Sequence, residues 1–166
     1  MVIHTNGWPT NVDTPSGSYF YHGENSEAYI GYVIPLDYKN PHLSPFDEFQ
    51  KWKTHPSIKK YLEGAERLSY GARALIKGGL QSLPKMEFPG GLLVGDNAGT
   101  LVFSKIKGSH TAMKSGAVAG EHIYETLQGS NTKSFDEKIK NSWIHTELNK
   151  SRNFGPIFHK YGALIG

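Results

Sequence analysis

The residues whose types and spacing suggest chemistry lie in one continuous stretch. Gly90-Gly91-Leu92-Leu93-Val94-Gly95-Asp96-Asn97-Ala98-Gly99 is followed closely by Lys105-Ile106-Lys107-Gly108-Ser109-His110-Thr111-Ala112-Met113-Lys114-Ser115-Gly116. Leu92, Leu93 and Val94 form a short apolar run of the kind a buried strand uses, and Gly95-Asp96 breaks it. Over 111–127 the pattern becomes helical, with Ala112, Ala119, Ile123 and Leu127 as the repeating apolar positions. Gly108 and Ser109 stand ahead of that helix, where small residues and an oxygen cap are favoured. The predicted order is therefore strand, glycine-rich turn and helix N-terminus.

A helix N-terminus presents N–H groups without intrahelical partners at the positive end of the dipole. It suits an anion or an electron-rich group, such as the N1–C2=O edge of a flavin that gains negative charge on reduction. Asp96, just past the strand, is placed to accept hydrogen bonds from sugar-like hydroxyls. Gly95 and Gly99 let a backbone come close to a ligand. The same spacing also fits an ordinary strand-turn-helix connection.

Composition bounds the other classes. The chain has 166 residues, long enough for a real core, with 37% hydrophobic and 20% charged residues, as in globular proteins. A net charge of +3 is mild, and basic residues are not interleaved with aromatics in the manner of a nucleic-acid surface. There is no cysteine, hence no disulfide frame, no thiol catalysis and no cysteine ligand for an iron–sulfur cluster. The eight histidines show no close ligand pair and no His-Glu-x-x-His, so no metal site is expected. Ser115-Gly116 does not lie in a nucleophile elbow, which removes the hydrolase class. Nothing has the pattern of a signal peptide or a spanning helix.

The elements that must position the central stretch are also legible. Residues 17–22 and 28–34 are aromatic and β-branched runs around Gly23-Glu24-Asn25-Ser26, which predicts a hairpin. Met1 to Pro15 reads as loop or strand edge. Tyr19, Tyr21, Tyr29 and Tyr32 are expected to pack. Ser44 and Pro45 predict a helix start, with Phe46, Phe49 and Trp52 as a core stripe or an exposed patch. His55-Pro56 stops that helix, and a short second one follows over 57–62. Residues 68–75 alternate and predict a strand ended by Gly78-Gly79. Gly129-Ser130-Asn131 ends the long helix, and Ser134 predicts a cap for a last helix over 135–150, with Phe135, Ile139, Trp143 and Ile144 on one face.

The central stretch resembles the electron transfer flavoprotein–ubiquinone oxidoreductase family, through Gly-Asp-Asn-Ala-Gly and Lys-Ile-Lys-Gly-Ser-His-Thr-Ala-Met-Lys-Ser-Gly. The resemblance extends to His4–Pro9, Pro15–His22, Tyr70-Gly71-Ala72-Arg73-Ala74-Leu75 and Gly78–Lys85. It implies an α+β fold: a mixed or antiparallel sheet with short helices on the quinone side over 1–88, the closing strand-turn-helix of an FAD-binding domain over 89–150, and an irregular tail over 151–166. It implies an enzyme that passes electrons from reduced electron transfer flavoprotein through FAD to ubiquinone at a mitochondrial or bacterial inner membrane. By the resemblance, Gly95, Asp96, Gly99, Lys107, Gly108, Thr111, Ala112 and Met113 hold the flavin, and Arg73 stabilises a reduced, anionic form. Ser16 and Gly17 fall on a glycine pair that meets the quinone, with Ser16 departing from the family pattern.

The family also carries a Gly-x-Gly-x-x-Gly fingerprint and a four-iron cluster on cysteines, neither of which occurs in this sequence. The chain is therefore expected to be an internal part of a longer enzyme, inactive alone. The rival expectations are another FAD-dependent reductase of the same superfamily, such as a prenyl-lipid reductase, and a non-catalytic remnant that binds a partner or a membrane.

Overall fold

A computed structural model describes residues 1–157 and Lys160. The chain is α+β and divides into two compact units, Met1–Tyr70 and Gly71–Lys160.

The first unit is built on a three-stranded antiparallel meander, β1 (Val2–Asn6), β2 (Gly17–His22) and β3 (Ala28–Val33), in the order β1-β2-β3. The hairpin expected from Gly23 to Ser26 joins β2 to β3, with His22 opposite Ala28. Val2–Asn6, expected as loop or edge, is a full edge strand. Register puts Ile3 opposite Phe20 and Phe20 opposite Ile30, and puts Thr5 opposite Ser18 and Ser18 opposite Tyr32. Because side chains alternate along a strand, these residues share one face. Helices α1 (Pro45–Lys53) and α2 (Pro56–Lys59) supply Trp52 and Ile58, which complete a core with Phe20. The start of α1 follows the sequence: Ser44 is the cap, its Oγ accepting from the Asp47 N–H, and Pro45 opens the helix. Trp52 is buried and Phe49 packs beside it, whereas Phe46 is exposed.

The second unit carries a two-stranded ribbon, β4 (Glu87–Phe88) and β5 (Gly91–Leu92), and three helices, α3 (Ser109–Leu127), α4 (Phe135–Lys140) and α5 (Trp143–Lys150). Its core joins Met86, Ala98, Val102, Val118, Ala119, Phe135, Ile139, Ile144 and Leu148.

Four expectations are corrected here. The strand over 92–94 shortens to Gly91–Leu92, because the chain turns into the ribbon and then into the glycine turn. The strand over 68–75 pairs with nothing among the described residues. The single helix over 135–150 is two helices: the Ser142 hydroxyl donates to the Ile139 carbonyl and accepts from the Ile144 N–H, ending α4 and starting α5. Trp143 is consequently half-exposed rather than on the buried face. The long helix buries Thr111, Ser115, Val118, Ala119 and His122, while Ile123 and Leu127 face outward.

Candidate functional site

The site is the junction of a glycine turn and the N-terminus of α3, both in the second unit. After β5 the chain makes one tight helical turn, Gly95–Ala98, and leaves it through Gly99 in the left-handed region at φ +80°. Gly95 also has positive φ, +58°, and a Cβ built on it would sit 3.0 Å from the Ala112 Cβ. Only glycine meets both demands without strain. The turn therefore rests directly on the first turn of α3.

Two buried hydroxyls fasten that contact. Ser115 Oγ accepts from the Gly95 N–H at 2.9 Å and donates to the Ala112 carbonyl at 2.9 Å. Thr111 Oγ1 donates to the Gly108 carbonyl at 2.8 Å and lies 3.4 Å from Thr100 Oγ1, the donor of that pair. Thr100, Thr111 and Ser115 are all fully buried. Each would be costly in a core without partners, and each has one.

The helix start differs from the expectation in one respect. Gly108 occupies the cap and Ser109 is already the first helical residue, so no side chain caps α3. Its first-turn N–H groups are left for a ligand or solvent. Asp96 and Met113 are exposed beside this opening, Met113 at 71%. Lys107 stands on the approach loop, where Val102 and Lys107 form an isolated antiparallel bridge. Gly108 packs on Leu101, whose Cδ1 would lie 3.2 Å from a Cβ there.

The fold thus brings Gly95, Asp96, Gly99, Gly108, Thr111 and Ala112 into one neighbourhood. Arg73 lies elsewhere in the same unit, exposed on an irregular stretch and without an ion pair among the described residues. Ser16 and Gly17 belong to the first unit. Ser16 is buried: its Oγ donates to the Gly7 carbonyl at 2.8 Å and clusters with the hydroxyls of Thr10 and Tyr32. A Cβ on Gly17 would come 3.1 Å from the Thr5 carbonyl oxygen.

Sequence reasoning missed Glu147. From α5 it forms an ion pair with Lys105 and meets His110 Nε2 at 3.1 Å, tying the approach loop and the start of α3 to α5. His110 also stacks on Trp143, 5.7 Å between centroids at 7°. The Lys105 hydrogen bond holds the Glu147 carboxyl below the usual carboxylate range against the opposing effect of burial, with His110 adding to the lowering. No local signal marks Glu147, because its partners are 42 and 37 positions away. Ser115 lies in the same motif, and only the fold shows it as the buried acceptor for the Gly95 N–H.

Comparison with known proteins decides the family. A family model described as "ETF-QO, ubiquinone-binding" matches residues 1–75. The electron transfer flavoprotein-ubiquinone oxidoreductase of Pseudomonas aeruginosa is 55% identical over the whole of this chain. The chain belongs with the electron transfer flavoprotein–ubiquinone oxidoreductases. A probable member from Acinetobacter baylyi is 48% identical over the whole chain, and the mitochondrial protein of Sus scrofa is 49% identical over 99% of it. The chain spans about a third of the length of these curated relatives: 31%, 33% and 29% respectively. The electron transfer flavoprotein–ubiquinone oxidoreductase relatives include bacterial and mitochondrial proteins. Among the described residues no helix is long and apolar enough to cross a membrane.

Proposed function

We propose that this chain supplies the quinone-side unit and the flavin-facing turn and helix of an electron transfer flavoprotein–ubiquinone oxidoreductase. Its work is to help pass electrons from reduced electron transfer flavoprotein through FAD to ubiquinone. The observation that carries the proposal is the Gly95–Ala112 contact: a glycine turn seated on a helix N-terminus that no side chain caps. The names of the relatives supply the reaction class.

The residues present fit FAD. An uncapped positive helix end and an exposed carboxylate at Asp96 on the turn that packs against it suit an electron-rich ring edge and a polyhydroxyl chain. FAD, when bound, supplies the electron-carrying chemistry. The chain's own residues position it and set its potential. The first-turn N–H groups of α3 favour negative charge on the ring edge. Asp96 would accept hydrogen bonds from sugar hydroxyls, and Gly95 and Gly99 would serve the cofactor by shaping and seating the turn that carries Asp96. With FAD bound, Lys107, Gly108, Ala112 and Met113 would border the ring, the buried Thr111 would hold the helix start behind it through the Gly108 carbonyl, and Arg73 would supply positive charge that favours the reduced form. Ser16 and Gly17 line the quinone. Because the Ser16 hydroxyl is already engaged inside its own unit, its part in quinone binding is through the backbone.

The electron donor, electron transfer flavoprotein, and a peripheral position on a mitochondrial or bacterial inner membrane come with this proposal. An iron–sulfur cluster, if the complete enzyme has one, is held by other sequence, since this chain has no cysteine. The test is to put this chain in place of the matched span of the Pseudomonas aeruginosa relative and assay ubiquinone reduction by reduced electron transfer flavoprotein. Retained turnover is expected, with none from the 166-residue chain alone. A hybrid that holds FAD and accepts electrons but does not reduce ubiquinone would contradict the quinone assignment.

A further inference from the structure

The sheet of the first unit shows two different faces at the end where Ser16 and Gly17 lie. Side chains alternate along a strand, so Thr5, Ser18 and Tyr32 turn inward together with Ser16. Their hydroxyls are used on one another and on the Gly7 carbonyl. Asn6, Gly17 and Val33 stand side by side across the three strands and turn outward. Asn6 and Val33 are exposed. Unlike the inner hydroxyls, the Asn6 amide has no hydrogen-bond partner among the described residues.

The ladder sets the spacing on this outer face. The Gly7 N–H donates to the Ser16 carbonyl at 3.0 Å, so Gly7 and Ser16 are a hydrogen-bonded pair. Asn6 and Gly17, one step along, are therefore a non-hydrogen-bonded pair, the closer kind, with Cα atoms about 4.5 Å apart. Gly17 offers bare backbone, against which a flat ring can lie. Val33 stands on its other side as an apolar wall. Tyr19, two residues along β2 on the same face, adds an aromatic wall, its ring stacked on Tyr21 at 5.2 Å and 22°. His4, the next polar side chain along β1, is engaged by Tyr21, whose hydroxyl lies 3.3 Å from His4 Nε2. Asn6 is left as the polar edge of the Gly17 floor. The family model described as ubiquinone-binding covers all of these residues.

We propose that the Asn6 amide holds a carbonyl oxygen of the quinone laid against Gly17, and holds the same oxygen as a hydroxyl after reduction. This rests on the placement of the quinone at Ser16 and Gly17 proposed above. An amide carries two N–H donors and an acceptor oxygen. The Asn6 Nδ2 donates to the quinone oxygen, which gains negative charge as electrons arrive, so the hydrogen bond strengthens during reduction. Two electrons come from reduced electron transfer flavoprotein and two protons from solvent, and each quinone carbonyl becomes a hydroxyl. The amide then turns about its Cβ–Cγ bond, and Oδ1 accepts from the new O–H. Asn6 thus serves substrate and product alike. Ser16 cannot, because its hydroxyl is spent inside the unit.

The test uses the full-length hybrid with the Pseudomonas aeruginosa relative and a short-tail ubiquinone isotopically labelled at its ring carbonyls. In the infrared, one labelled carbonyl stretch is expected below its position in free quinone, and back near that position in Asn6→Leu. The same band in both proteins would overturn the proposal. The kcat/KM for ubiquinone is expected to fall about three- to tenfold in Asn6→Leu, the worth of one neutral hydrogen bond. FAD content, flavin reduction by the donor and melting temperature are expected to stay as they were, and Asn6→Gln, which keeps the amide, is expected to recover part of the loss. Full kcat/KM in Asn6→Leu, or an equal fall in flavin reduction, would overturn the proposal. Gly17→Ala separates the proposal from the placement it rests on. Weakened ubiquinone binding in a folded Gly17→Ala with no change in Asn6→Leu would leave the placement standing and remove Asn6 from it. No change in either variant would overturn both.

Discussion

Gly95 and Ala112 meet so closely that a Cβ built on Gly95 would stand 3.0 Å from the Ala112 Cβ, at a φ of +58°. This contact seats the glycine turn on α3. Gly95→Ala combines left-handed strain with overpacking, and is expected to cost about 1–3 kcal/mol. Ser115→Ala leaves the buried Gly95 N–H without its acceptor and is expected to cost about 1–3 kcal/mol. Urea unfolding of the two single variants and the double variant checks both. Because the residues share one contact, the double variant is expected to lose less than the sum.

Glu147 predicts a pH dependence. Its carboxyl is held low by Lys105 and His110, so in the folded chain it stays ionised to lower pH than in the unfolded chain. The stability it contributes is present above the ordinary carboxylate range, about 4.3, and is lost as pH falls through the lower folded value. Glu147→Gln is expected to flatten the fall in stability below about pH 5, measured by urea midpoints from pH 3 to 7. An unchanged acid limb in the variant would show that the ion pair contributes nothing.

The buried hydroxyls of the first unit give a third expectation. Ser16→Ala removes the donor to the Gly7 carbonyl and a partner of Tyr32, and is expected to cost about 1–2 kcal/mol in a thermal or urea melt. Ser16→Gly, which restores the residue type of the family pattern, is expected to carry a similar stability cost. In the full-length hybrid it is expected to leave the KM for ubiquinone unchanged, because the serine side chain points into its own unit and only its backbone meets the ring. A raised KM would place the serine hydroxyl in quinone binding after all.

Local chemistry was legible where it decides structure alone. The Ser44 and Ser134 caps, Pro45 at the start of α1 and the Gly23–Ser26 turn follow from hydroxyl capping, a fixed proline φ and turn geometry. The buried face of α3 was not legible from hydrophobicity, because Thr111 and Ser115 go inside with their hydroxyls satisfied by neighbouring carbonyls while Leu127 stays 79% exposed. Residues 68–75 have a strand's alternation but take no strand here, because pairing depends on what lies across the ladder and not on the run itself. In the site, the glycines and Asp96 were visible as a motif. Glu147 was not, since its contacts are made only by folding α5 back onto the approach loop.

The most direct test of the account is the FAD affinity of the full-length hybrid with and without Asp96→Ala, followed by flavin fluorescence, with circular dichroism to establish that both are folded. The account predicts FAD bound by the parent and about tenfold weaker in the variant, the loss of one hydrogen bond to a charged acceptor. Equal affinity in two folded proteins, or no FAD in either, would contradict the placement of the flavin at the Gly95–Ala112 junction.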